Sequence, residues 1–362
     1  MAGRGVLPAE EIEVLATQNC IAPAKPFDPD QVQPSSLDLR LGTKAYRVRA
    51  SFLPGPDATV ADKLKTLALH EIELSEGAVL EVGCVYVVPL LESLALPDGI
   101  SAACNPKSST GRLDVFTRVI CDRVGAFDTI PHAYDGPLYA EISPRTFPVL
   151  VRTGSRLSQV RFRSGSAVLN EEATRKLHAE QTLVHAAEPV FGHGIAVSVD
   201  LSAEQGMPVG YRAKRHTAVI DVDRKAQYEV SEFWETIYAT GDGSLILDPD
   251  QFYILASKEA VHVPPDHAAE MVAFDPLVGE FRVHYAGFFD PGFGHRAAGG
   301  SGSRAVLEVR SHEVPFILED GQTVGRLVYE RLSATPKRLY GTDIGSHYQA
   351  QGLKLSKHFK AE

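Results

Sequence analysis

The chain carries one pattern twice, and nothing else in it limits the fold as strongly. SSLDLRLG (Ser35 to Gly42) is matched by SVDLSAEQG (Ser198 to Gly206), and AFD (Ala126 to Asp128) by FFD (Phe288 to Asp290). Asp38 and Asp200 are 162 residues apart, as are Asp128 and Asp290. LYAEISPRTFPV is matched by VLEVRSHEVPF, which sets Glu141 against Glu308 and Pro148 against Pro315, and Gly154 falls against Gly321, all at 167. Pro97 and Pro265 are 168 apart. Landmarks kept in one order, with small length changes between them, read as a duplication. The expected division is residues 1–195 and 196–362, joined near Phe191 to Ser198.

Each copy can bury a core of its own, because 44% of the 362 residues are apolar. The apolar stretches are strand-like. AVLEVGCVYVVPLLESLAL, PVLVRTGSRLSQVRFRSG, FYILASKEAVHV and RAVLEVRSHEVPFIL are rich in Val, Ile, Leu, Phe and Tyr and are broken by turn residues at short intervals. Helical periodicity is clear at PAEEIEVLATQN, where Pro8 suits a first turn, and weaker at NEEATRKLHAEQ and SEFWETIY. The fold expected is mainly β, two tandem barrels or sandwiches with a few short helices.

A net charge of −10 argues against a protein that coats nucleic acid or a polybasic membrane surface. A small anionic ligand needs only a few local cations and stays open. No stretch is apolar for the length of a membrane span, and the start has no secretory h-region. The four cysteines, Cys20, Cys84, Cys104 and Cys121, form no C-x-x-C pair. They read as reduced thiols of a cytoplasmic protein.

PKSSTGR, ending at Arg112, gathers phosphate-friendly groups in one turn. Lys107 and Arg112 offset negative charge, Ser108 and Ser109 supply hydroxyl and backbone donors, and Gly111 lets the backbone turn without a Cβ. By itself the run also describes an ordinary polar loop. Its setting is more specific. QPSSLDLRLG, then PKSSTGRLDVF, then a hairpin ending in LYAEI, then GSRLSQVRF, is an order that resembles the dUTPase-like superfamily and, within it, the dCTP deaminases. The tail LYGTDIGSHYQAQG is similar to that family's C-terminal lid, with Tyr340, Tyr348 and Gln351 in matching places. The likeness runs over nearly the whole chain as two copies, closest to the long bacterial form.

The resemblance implies distorted β-barrels packed as in a trimer, with active sites between neighbouring barrels. It implies dCTP bound with Mg²⁺ and deaminated to dUTP and ammonia, with dTTP as a feedback inhibitor. Ser108, Ser109 and Arg112 match the phosphate and catalytic turn, flanked by Lys107 and Gly111. Glu141 and Glu308 match the hairpin glutamate, Gln159 the glutamine of a later motif, and Asp290 the hairpin aspartate.

Zinc deaminases carry H-x-E followed by P-C-x-x-C. Here His178 and Glu180 form an isolated H-x-E, read as a solvated helix face, and no zinc site is expected. Without zinc, hydrolysis at C4 needs a carboxylate base beside the water and donors for the charge that develops. The copies are unequal in this respect. Pro276, Leu277, Gly279 and Glu280 stand where Ser108, Ser109, Gly111 and Arg112 do, and Arg326 replaces Gln159. A carboxylate at 280 would repel a triphosphate. Two arrangements follow: a site within the first copy using Glu141, or a composite of Ser108 and Arg112 with Asp290 and Glu308. Competing functions are a dUTP pyrophosphatase, a bifunctional enzyme, and a non-catalytic nucleotide-binding protein.

Overall fold

The structure is a computed structural model and describes residues 3–202, 205–273, 281–283, 287–311, 313–341 and 352–361. The molecule is mainly β with a few short helices. In the first half, Val32–Gln33, Ser36–Arg40, Arg156–Ser164, Ile100–Pro106 and Thr129–Ile130 form one sheet in that order. Val115–Cys121, Asp135–Pro144, Val85–Ala95, Lys44–Val48 and Ala68–Glu73 form the other. In the second half, Gly194–Ser198, Thr323–Arg331, His267–Ala273 and Phe288–Phe289 are joined in one sheet. Pro208–Ala213, Phe252–Val261, Ser303–Ser311 and Phe281–Val283 are joined in another.

The pairings of the two halves share a register. Gln159 lies opposite Asn105 and Arg326 opposite Val272; Glu141 lies opposite Val87 and Glu308 opposite Ile254. Each member of the second pair stands 167 residues after its counterpart. A one-residue slip would have turned every side chain to the other face, so the glutamates occupy corresponding faces of corresponding strands.

Each half has a core, and a third core joins them. Leu37, Leu39, Val160 and Phe162 pack within the first half, and Ile195, Val197, Leu255 and Leu307 within the second. Between them, Ile142, Phe147 and Val149 meet Trp234, Phe252 and Phe359. The Trp234 ring stands edge-on to Phe147 with centroids 5.4 Å apart. Val149–Val151 also pairs in parallel with Ile220–Asp221 across the halves.

Three local features differ from the sequence expectation or sharpen it. Pro8 caps the helix Ala9–Thr17, whose Ile12 and Leu15 are buried. Asn170 caps Glu171–Gln181, accepting from the Ala173 amide at 2.9 Å, but Leu177, Leu183 and Val184 of this segment pack in the second core. By packing, the chain therefore passes to its second half before residue 177, earlier than Phe191 to Ser198. SEFWETIY is only briefly helical: Val230–Phe233 is a single turn and Trp234–Tyr238 a strand, the state its aromatic and β-branched residues favour. Among the described residues no helix is long and apolar enough to cross a membrane.

Candidate functional site

The phosphate-friendly turn begins where the Ile100–Pro106 strand stops. Proline has no N–H to continue a ladder, and Lys107, in extended conformation, caps a single helical turn, Ser108–Gly111. The Thr110 and Gly111 amides donate to the Lys107 carbonyl at 2.8 and 3.0 Å. Gly111 therefore sits inside the turn. The residue that takes the left-handed conformation and ends it is Asp114, at φ 55°. Lys107 and Arg156 both pair with the buried Asp38, which fixes their direction.

This turn faces the second half across a cavity of about 500 Å³. The wall that carries the turn is polar and of mixed charge, with Lys107, Ser108, Ser109, Arg112 and Gln159 joined by Arg156, Lys225 and Lys357 and by the carboxylates of Asp28, Asp30, Asp38 and Asp223. The opposite wall carries Phe288, Phe289, Val306 and Tyr340, with Asp290 and Glu308 among them. Glu308 Oε1 is 3.9 Å from Arg112 Nε, and both side chains are nearly inaccessible. Burial pushes the Glu308 carboxyl up to about 8, against the opposing pull of Arg112. Burial also raises Asp290; Arg161 at 3.9 Å and the Ser35 hydroxyl, which donates to it at 2.5 Å, work the other way. Burial, with Lys107 and Lys225 nearby, brings the Lys357 ammonium down to about 8.

The C-terminal tail closes over the turn. Arg112 Nη1 donates to the Lys354 carbonyl at 2.9 Å and Ser356 Oγ to the Ser109 carbonyl at 2.8 Å. His358 Nε2 meets the Val222 carbonyl at 2.9 Å, and Leu355 and Phe359 enter the core between the halves.

Of the residues singled out from the sequence, Lys107, Ser108, Ser109, Arg112, Gln159, Asp290, Glu308 and Tyr340 line this one cavity. Gln159 holds the turn from behind, its Nε2 lying 3.5 Å from the Pro106 carbonyl. Glu141 is elsewhere, 1% exposed and paired with Arg118 at 2.5 Å. Tyr348 and Gln351, and the stretch from Pro276 to Glu280, lie outside the described residues. Sequence reasoning missed Arg156, Lys225 and Lys357. Arg156 stands three residues before Gln159 in a motif already singled out and could have been found; only the fold brings the other two here.

Cations, hydroxyls and a buried carboxylate whose proton affinity is raised by burial share one cavity of a mainly β molecule, an arrangement suited to a phosphorylated small molecule. Comparison with known proteins narrows this class. Residues 3–166 match the family model for the 2'-deoxycytidine 5'-triphosphate deaminase N-terminal domain, and residues 170–359 that for its C-terminal domain. The chain belongs to the dCTP deaminase family. It is 63% identical to a 2'-deoxycytidine 5'-triphosphate deaminase from Agrobacterium tumefaciens of known crystal structure. The likeness covers 95% of this chain and 100% of that one, with a TM-score of 0.90. It is 35% identical over 128 residues to a "dCTP deaminase, dUMP-forming" of Halobacterium salinarum, spanning 34% of this chain and 60% of that protein. A protein of the same description from Streptomyces avermitilis is 29% identical over 170 residues, spanning 44% and 84%.

Proposed function

We propose that the chain deaminates dCTP hydrolytically to dUTP and ammonia in a composite site, with Glu308 as the general base. The observation that carries this reading is the meeting of Glu308 and Arg112 in one cavity with the serine turn. Lys107, Ser108, Ser109, Arg156 and Lys357 take the triphosphate, and the base lies towards Glu308 and the Phe288 to Asp290 hairpin. Glu308 accepts a proton from water as its oxygen bonds to C4, then returns it to the amino group. The C4–N bond breaks, ammonia leaves, and C4 keeps the oxygen as the uracil carbonyl, the hydroxyl's proton passing to ring N3. A base whose pKa lies near the working pH is well matched to both transfers. Arg112 steadies the carboxylate whenever Glu308 is ionised.

Magnesium enters with the substrate. Among the described residues no cluster of three His, Cys, Asp or Glu side chains is arranged to hold a metal ion. We take the ion to be bound mainly by phosphate oxygens and water. Barrels packed as in a trimer and inhibition by dTTP remain part of the proposal, open to light scattering and to inhibition assays.

A second reading, release of dUMP and pyrophosphate, is favoured by the dUMP-forming description of several relatives. The deciding experiment incubates purified protein with dCTP and Mg²⁺ and separates the nucleotides. dUTP with released ammonia is expected, and dUMP with pyrophosphate would establish the second reading. Unchanged dCTP would sink both. A Glu308→Gln chain at full activity would sink the composite site alone.

A further inference from the structure

The molecule holds two glutamates at corresponding positions, but only Glu308 lines the cavity. Glu141 sits directly opposite Arg118 in the ladder between Val115–Cys121 and Asp135–Pro144. Arg118 Nη2 lies 2.5 Å and Nε 3.2 Å from Glu141 Oε1. The central carbon of the same guanidinium is 3.5 Å from the centroid of the Phe127 ring. Phe127 and Asp128 correspond to Phe289 and Asp290, the hairpin residues beside Glu308. Arg118 thus bridges the glutamate and the hairpin aromatic, the space that receives the base in the composite site.

A guanidinium is flat, lies on aromatic faces and points donors in its plane at a carboxylate. A cytosine offers the same combination, a flat face and an amino group at its edge. Glu141 Oε2 is buried without a hydrogen-bond partner, an acceptor left over beside the guanidinium. In the sequence, Pro276, Leu277 and Glu280 fall where the working turn has Ser108, Ser109 and Arg112.

We propose that Arg118 is an internal stand-in for the pyrimidine, closing the site at Glu141 so that each chain binds one nucleotide rather than two. This rests on the composite-site reading, in which the base lies between Glu308 and the hairpin.

Two measurements test it. Equilibrium dialysis of a Glu308→Gln chain with dCTP and Mg²⁺ should saturate at one nucleotide per chain; saturation at two overturns the proposal. An Arg118→Ala chain should keep dCTP turnover within about twofold, because the change lies outside the cavity. It should also bind one more equivalent of 2'-deoxycytidine than the parent. An active Arg118→Ala chain with no added equivalent also overturns the proposal, and if that chain does not fold, the same 2'-deoxycytidine titration of an Arg118→Met chain, which keeps a long apolar side chain over Phe127, decides. Failure of the composite reading shows differently, as undiminished turnover in the Glu308→Gln chain.

Discussion

Glu308 carries both the chemistry and a cost. Its folded pKa, pushed up to about 8 by burial, stands above the ordinary 4.5. The folded state therefore holds a proton that the unfolded state releases between those values, and stability falls as pH rises through that window. Glu308→Gln cannot ionise. Its melting temperature relative to the parent should rise between pH 5 and pH 8, and a constant difference would mean the carboxyl is not perturbed. The rate should follow the opposite course. If the ionised form is the base, kcat/KM climbs through neutral pH and levels above about 8. Glu308→Gln should lower kcat by at least about 10²-fold. A kcat/KM that is flat from pH 6 to 9 would remove Glu308 from the proton transfer.

At the scale of elements, the tail makes the first half's turn depend on the last residues of the chain. Ser356 and Lys354 bond to the Ser109 carbonyl and to Arg112, while Phe359 is 5% exposed in the core between the halves. Phe359→Ala should cost about 3–5 kcal/mol, the usual range for a large buried aromatic, read from the urea midpoint. Lys357→Ala should raise the KM for dCTP about tenfold, the loss of one charged contact, with a smaller effect on kcat. An unchanged KM would place the phosphates away from the tail. The sequence exposes some of this and hides the rest for physical reasons. Strands such as Phe252–Val261 and Ser303–Ser311 announce themselves as apolar runs between turns. The serine turn, Arg112 and both glutamates stand in motifs. Lys225 and Lys357 follow no spacing rule, because burial and the approach of distant segments bring them to the cavity. The passage between halves is equally silent, since Leu177 and Val184 would suit either core.

For the whole molecule, a charged seam decides how the halves meet. Arg163 and Glu330 stand at corresponding positions, 167 residues apart, and face each other at 2.5 Å. Two first halves placed in this way would set arginine against arginine, so the pair favours one half meeting the other. Glu330 also takes Arg161 at 3.2 Å, and Arg161, fully buried, donates to the Ala269 and Phe289 carbonyls at 3.0 and 3.2 Å. Burial opposes the charge on Glu330, but the two arginines hold its carboxyl below the ordinary value. Its contribution is complete above the unfolded 4.5 and is lost as pH falls through the lower folded value. Glu330→Gln leaves two arginines short of a counter-charge and should cost about 3–5 kcal/mol, the range for breaking a buried pair. Its consequence reaches the cavity, because Arg161 fixes the hairpin that carries Phe289 and Asp290. Turnover of dCTP should fall in folded Glu330→Gln protein, although residue 330 does not line the cavity. A chain destabilised by that amount but fully active would show that the hairpin keeps its place without the seam.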